Sequence, residues 1–363
     1  MKKLLTPIEQ NGLKFKNRVA MAPLTRCRAG ENDVPQPMSE LYYAQRASAG
    51  LIITEATNVT PKSCAFEKAP GIYSPAQVQA WKKISEKTHA AGGKLFMQLW
   101  HCGRVGSDAI LNGNAPLSPS GVNDDLHALI VYGLMANGRY AQITATPSKA
   151  MTTQEIEETI ADYARATENA LAAGMDGVEI HGANGYLIHQ FLSPTINQRT
   201  DDFGGTLTKR LEFLKRVIQA VLSKAPKSKV GLRISPFAGY NNTRDPNPEE
   251  TYAAVAKMVE EFGLAYIHLA DTNAWAGAPD MDKMLKIVKP HYTGCLIGNG
   301  GIEPDQAIKM VESGQVDMVA FGRAFISNPD LAVRIAQDGP YNEARYVGWY
   351  GGDEVGYTDY PAL

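Results

Sequence analysis

The 363-residue chain contains no run of lysines and arginines, and its 36 basic against 38 acidic residues leave a formal net charge of −2. Nucleic-acid binders carry a basic face that neutralises phosphates, so that class is set aside. No apolar stretch nears the roughly 20 residues needed to cross a bilayer, and no membrane partner is expected. The start, Met1-Lys2-Lys3-Leu4-Leu5-Thr6-Pro7, lacks the long apolar core of a secretory signal. Cysteine is scarce: four residues, at 27, 64, 102 and 295, with no CxxC spacing. That pattern suggests neither a zinc site nor a redox pair and fits a reducing compartment, so the cytoplasm is the expected location. The histidines form no HxH or HExxH, and no metal is expected.

What is present is ordinary globular composition, 44% hydrophobic, with length for a large core. Short apolar runs read as buried parallel strands at 19–21, 51–55, 95–99, 178–181, 230–234, 266–269, 296–298 and 318–321. Helical patterns begin after each, near 39, 76, 153, 207, 249, 281, 305 and 330. Ser74-Pro75 and Asn328-Pro329 read as caps followed by a first-turn proline, and Thr152 with Glu155 as a capping box. Within 155–173, Ile156, Ile160, Tyr163, Thr167 and Leu171 recur at helical spacing.

Eight strand–helix units in strict alternation predict a single-domain (β/α)₈ TIM barrel spanning 1–363. A doubly wound dinucleotide-binding sheet is the rival, but no GxGxxG follows the first strand. One long excursion, 100–151, rich in Gly, Asn, Ser and Pro, separates the third strand from its helix. In a barrel it lies over the C-terminal face, where catalysis sits.

Residues just past the strands are therefore the candidates. Pro23, Leu24, Thr25 and Arg26 follow the first strand, and Ala56 follows the second. Gln98 and Trp100 close the third, and His181, Asn184 and Tyr186 follow the fourth. Arg233 closes the fifth, Asp271 and Trp275 follow the sixth, Gly300-Gly301 the seventh and Gly322-Arg323 the eighth. The last two glycine turns suit a phosphate cradle, because glycine lets backbone N–H groups approach an anion and arginine adds charge. The plainer alternative is tight turns with a surface arginine. Arg233, ending an apolar strand, is either paired structurally or aimed at a ligand of developing negative charge. No lysine closes a strand, which argues against Schiff-base chemistry. His181-Gly182-Ala183-Asn184-Gly185-Tyr186 offers two hydrogen-bonding side chains and a phenol, the groups needed to grip a carbonyl and protonate beside it. A lone histidine is also often structural. Trp100, Trp275 and Tyr350 suit either core packing or stacking on a ligand.

Taken together, Asn17-to-Arg26, Gln98-Leu99-Trp100-His101, 181–187, Asn197-to-Asp201, the two glycine turns and the tail Gly356-to-Leu363 resemble the old yellow enzyme family. These are FMN-dependent ene-reductases, and the likeness is to their bacterial N-ethylmaleimide and pentaerythritol tetranitrate reductase branch. The resemblance implies non-covalent FMN, its phosphate at Gly300, Gly301, Gly322 and Arg323. Its ring would lie against Pro23, Leu24, Thr25 and Ala56, with Gln98 and Arg233 at the pyrimidine edge. It implies hydride from NADPH, or NADH, passed through the flavin to an alkene activated by a carbonyl or nitro group. Maleimides, and with them nitrate esters, are further substrates it suggests. His181 and Asn184 would hold the activating oxygen, and Tyr186 would supply a proton. Phe66, Trp100, Trp275 and Tyr350 would border the substrate, and the chain would act as a monomer or weak homodimer.

Two departures from the family stand out. The stretch 121–146 does not match its usual loop, and Phe66 stands where tyrosine is common. Cys27 lies two residues past Thr25, not at the position where another branch replaces that threonine. With no cysteine cluster and an end soon after the barrel, the iron–sulfur relatives are not expected. The alternatives carried forward are a flavin barrel of hydroxyacid-oxidase type and a non-catalytic flavin- or phosphate-binding barrel.

Overall fold

The computed structural model describes residues 2–10, 12–273 and 279–363. Among them, eight parallel strands close a barrel: β1 (Val19–Met21), β2 (Leu51–Ile53), β3 (Leu95–Trp100), β4 (Gly177–Gly182), β5 (Val230–Ile234), β6 (Tyr266–Ala270), β7 (Cys295–Asn299) and β8 (Met318–Phe321). Each pairs with the next, and β8 returns to β1 through Val319↔Val19 and Phe321↔Met21. Every strand residue except Asn299 is buried. That is why these strands read as unbroken apolar runs: helices cover one face and the barrel interior the other.

The covering helices are α1 (Met38–Gln45), α2 (Pro75–Ala90), α3 (Thr153–Ala172), α4 (Leu207–Leu222), α5 (Pro248–Phe262), α6 (Met281–Val288), α7 (Pro304–Glu312) and α8 (Leu331–Ala336). Two short helices, Leu187–Leu192 and Arg323–Ser327, lie in the loops after β4 and β8. At the start of α3, the Thr152 hydroxyl accepts from the Glu155 amide (3.2 Å) and Glu155 accepts from the Thr152 amide (2.9 Å). Ser74 and Gln77 form the same box on α2, with Pro75 in its first turn. Ile156, Ile160, Tyr163 and Thr167 of α3 are buried as a stripe. The Asn328-Pro329 pair differs from expectation. Asp330, not Asn328, precedes the first turn of α8, and Asn328 ends the preceding short helix, its amide donating to the Ala324 carbonyl (2.9 Å).

An N-terminal hairpin, Ile8–Gln10 against Leu13–Phe15, was not anticipated. Ile8 and Phe15 join the apolar cluster inside the barrel, and Phe15 meets Phe96 edge-to-face at 6.5 Å, so the hairpin packs against the barrel interior. The 100–151 excursion has its own structure: a hairpin of Val131–Leu134 and Tyr140–Ile143, and a parallel bridge of Leu117–Ser118 to Lys149–Ala150. Within it, fully buried Arg104 meets Asp125 with both terminal nitrogens (2.5 and 2.6 Å), and it ties the excursion down by donating to the Asn241 carbonyl (3.3 Å). The C-terminal segment is drawn in by Arg26 and Arg28, which donate to the carbonyls of Gly348, Trp349, Asp353 and Gly356. Tyr42 and Tyr357 stack at 4.0 Å between the guanidinium groups of Arg46 and Arg28. Buried guanidinium groups are tolerable here because backbone carbonyls take up their donors.

Candidate active site

Two adjoining clefts, with about 820 and 1000 Å³ of empty space, open at the C-terminal ends of the strands. They share Pro23, Leu24, Asn184, Arg233 and Arg323 as walls, so together they form one elongated groove. Gly300, Gly301 and Gly322 line the narrower cleft. Thr25, Ala56, Phe66, Gln98, Trp100, His181, Tyr186 and Tyr350 line the wider one. Trp275 lies outside the described residues.

The end of β4 shapes the wider cleft. Asn184 and Gly185 both take positive φ (59° and 73°), which turns the chain sharply between strand and helix. A Cβ on Gly185 would lie 2.5 Å from the Tyr240 carbonyl, so only glycine fits. The turn is held from beneath: the Asn184 amide donates to Ser235 (2.8 Å), and Asn241 donates to the Asn184 carbonyl (3.0 Å). The Asn184 side-chain oxygen is buried without a protein partner. His181 accepts at Nδ1 from the Ala183 amide (3.4 Å), which leaves its proton on Nε2. Burial, and then the nearby Arg233 charge, push its pKa well below the usual imidazole range, so the ring is neutral. It is therefore a neutral N–H donor. Tyr186 sits edge-on to both His181 (5.1 Å) and Trp100 (5.0 Å). Burial raises its pKa far above the ordinary phenol value, so it keeps its proton.

Below lies a polar layer in which Gln98 and Arg233 were expected from the sequence, but Glu179 and His268 were not. β3 and β4 set Gln98 opposite Glu179, and Gln98 Nε2 donates to Glu179 Oε1 (2.7 Å). His268 on β6 donates through Nδ1 to Glu179 Oε2 (2.9 Å). Arg233 donates to the Asn299 side chain (2.8 Å), which in turn donates to the Ala320 carbonyl (2.8 Å). Arg233 Nε is buried and unpartnered. The signal for Glu179 was its place two residues before His181, on the same inward face of a strand.

At the other end, a Cβ on Gly300 would come within 2.7 Å of Asp271 Cβ, so the backbone there runs closer than any side chain permits. The Asp271 carboxylate is turned away to accept from the amides of Asn273 (2.9 Å) and Asp280 (2.5 Å). Arg323 is exposed beside it. Unsatisfied Arg233 and Asn184 atoms at one end, and a glycine cradle beside an arginine at the other, fit a long ligand with a polar ring and an anionic tail. FMN has that shape.

The rim is aromatic. Tyr132 stacks on Phe66 (5.2 Å) and on Tyr350 (5.6 Å), while Phe66 and Tyr350 meet tilted at 5.7 Å. Tyr132 comes from the excursion's hairpin, which docks on residues 65–67 through backbone hydrogen bonds: the Tyr132 N–H donates to the Ala65 carbonyl (2.9 Å) and the Glu67 N–H to the Tyr132 carbonyl (3.0 Å). Tyr240 and Trp349 also line this cleft. The sequence held a usable signal for Tyr240, in the loop after the fifth strand, but none for where Tyr132 would land.

Residues 3–342 match the family model described as NADH:flavin oxidoreductase / NADH oxidase. The chain is 41% identical to a putative 12-oxophytodienoate reductase 11 of Oryza sativa subsp. japonica, over 99% of this chain and 97% of that one. It superposes on morphinone reductase with a TM-score of 0.95 at 37% identity, covering 100% of this chain and 96% of the other. The old yellow enzyme homologue from Zymomonas mobilis gives 0.93 at 36%, covering 99% and 100%. Fold and site define a flavin-dependent oxidoreductase barrel. The chain belongs to the NADH:flavin oxidoreductase / NADH oxidase family, that of the old yellow enzymes. As a member it is an FMN-dependent, NAD(P)H-driven ene-reductase.

Proposed function

We propose that residues 1–363 work as one FMN-binding domain, with 100–151 as an excursion over the site. FMN is held non-covalently: phosphate against Gly300, Gly301, Gly322 and Arg323, ring against Pro23, Leu24, Thr25 and Ala56, pyrimidine edge at Gln98 and Arg233. Bound FMN supplies two-electron hydride chemistry between NADPH, or NADH, and an alkene. Morphinone reductase has been solved with tetrahydroNAD, which supports a nicotinamide stacking in the same groove. The substrates are α,β-unsaturated carbonyl compounds, nitroalkenes or maleimides, and by extension nitrate esters. The buried, unpaired cysteines support a reducing, cytoplasmic setting.

The chain's own part begins with orientation. His181 Nε2–H and the Asn184 side-chain NH₂ donate to the substrate's activating oxygen. Both are neutral, so they stabilise developing negative charge without becoming trapped in an ion pair with it. Tyr186, protonated throughout the neutral range, delivers a proton to the α-carbon. Phe66, Trp100 and Tyr350 border the substrate and keep water from the reacting carbons. The observation that carries this reading is the His181 ring, whose Nδ1 is occupied by a backbone amide while Nε2–H is left for a ligand. An oxidase of the hydroxyacid type needs a base at that place, and His181 and Tyr186 both present protons instead. The test is anaerobic stopped-flow reduction by NADPH and by NADH, followed by reoxidation with enones, nitroalkenes and maleimides. A colourless protein that takes up no FMN, or a reduced one that no alkene reoxidises, would sink it.

A further inference from the structure

The buried Glu179–His268 pair lies outside the roles described so far. Glu179 is the acidic side chain of a fully buried strand, and its two oxygens are divided between two neighbours: Oε1 takes the Gln98 amide and Oε2 takes His268. A carboxylate can only accept, so the Gln98 NH₂ end is committed downward. Gln98 Oε1 has no protein donor among the described residues, and Gln98 lines the wider cleft. An amide free to rotate would offer either a donor or an acceptor to a ligand; this one offers an acceptor. Burial alone would raise the Glu179 pKa. The His268 imidazole beside it, the charge of Arg233 and the bond from Gln98 outweigh it, and the pKa falls below the usual carboxylate value. Burial and Arg233 in turn hold His268 below the usual imidazole value. The layer is therefore one anion, one neutral ring and one cation, with Arg233 at the cleft.

We infer that Glu179 is a positioning residue for the flavin site, presenting the Gln98 carbonyl oxygen to the ligand and offsetting part of the Arg233 charge. The inference rests on the FMN reading above. The Gln98 oxygen suits a ring N–H donor, which the pyrimidine edge of FMN carries at N3. The offset charge sets how strongly Arg233 favours the reduced, negatively charged ring, and so the redox potential.

The experiment uses purified protein reconstituted with FMN or with 3-methyl-FMN, which lacks the N3 proton. The wild type should bind FMN at least tenfold more tightly than the methylated form. Glu179→Leu leaves Gln98 free to turn, and that preference should shrink to within threefold. Glu179→Gln keeps an acceptor for Gln98 and removes the charge. It should retain the preference but favour the reduced flavin about tenfold, a rise of about 30 mV for a two-electron couple. A wild type without the preference, a Glu179→Leu protein that keeps it, or a Glu179→Gln protein with an unmoved potential overturns the inference. If Glu179→Leu gives no folded protein by circular dichroism, the Glu179→Gln potential decides alone. A wild type that binds no FMN overturns the cofactor reading and this inference with it. FMN bound by all three proteins with the same preference and the same potential overturns only the inference.

Discussion

The floor and the rim of the wider cleft are built in different ways. On the floor, Gln98 stands opposite Glu179 and Arg233 opposite His268 on neighbouring barrel strands, each buried and joined to a neighbour or to the cleft by a hydrogen-bonding group. On the rim, Phe66, Tyr132 and Tyr350 come from separate segments and meet chiefly through ring faces, and Tyr240 lines the same cleft. A strand-borne polar group has one permitted position, because leaving its partner unsatisfied in the interior costs about 1–3 kcal/mol. A stacked ring can slide or be replaced at about 0.5–1.5 kcal/mol per pair. On the proposed reading, the reaction is held by the rigid part, and substrate choice is left to the adaptable one.

That contrast can be broken by substitution. Replacing His181 with Ala should slow the alkene-reducing step about 10²–10³-fold, the effect of losing one preorganised donor. Stopped-flow reoxidation by an enone measures it, and a loss under threefold would remove His181 from the chemistry. Tyr186→Phe should lower the same step about 10²-fold, at the low end of general-acid effects, and spare reduction by the nicotinamide. Equal loss in both half-reactions would instead mark Tyr186 as a packing residue.

A pH titration sharpens the picture of the interior. Burial holds His101 at about 3 and His189 at about 4, with His181 and His268 also below the usual value. In the unfolded chain these rings titrate near 6.5. Below that pH the unfolded state binds more protons than the folded one, so stability is full above about 6.5 and falls as the solution is acidified. Thermal melts from pH 8 to 4.5 should show the midpoint dropping only in the acidic half. A flat profile would mean that these rings are not buried neutral. The smallest effect is expected at the rim: Tyr132→Ala should raise KM for a bulky enone about 2- to 10-fold with kcat nearly unchanged. A collapse of kcat there would erase the distinction between floor and rim.

Much of the barrel was legible because the strands are buried on both faces and some helices announce their start chemically. Thr152 with Glu155 and Ser74 with Pro75 are examples, since a cap acts within four residues. Asn328-Pro329 misled because the same pair can close one helix or open the next, and only the chain's path past Ser327 distinguishes them. Tyr132 was illegible for a different reason. Its place over the site depends on pairing with residues 65–67, and no local pattern encodes a partner so far away along the chain.

By itself, then, the sequence determined the eight-fold alternation and the loop ends where His181, Asn184, Tyr186 and Arg233 stand, because strand and helix periods and caps are local properties. Tertiary structure alone decided which way those groups face: the His181 proton placed on Nε2 by a backbone amide, the Gln98 oxygen turned to the cleft by Glu179, and Tyr132 carried in by a docked hairpin. Hydrogen-bond direction depends on the partner across the barrel, and that partner is brought near only when the chain closes.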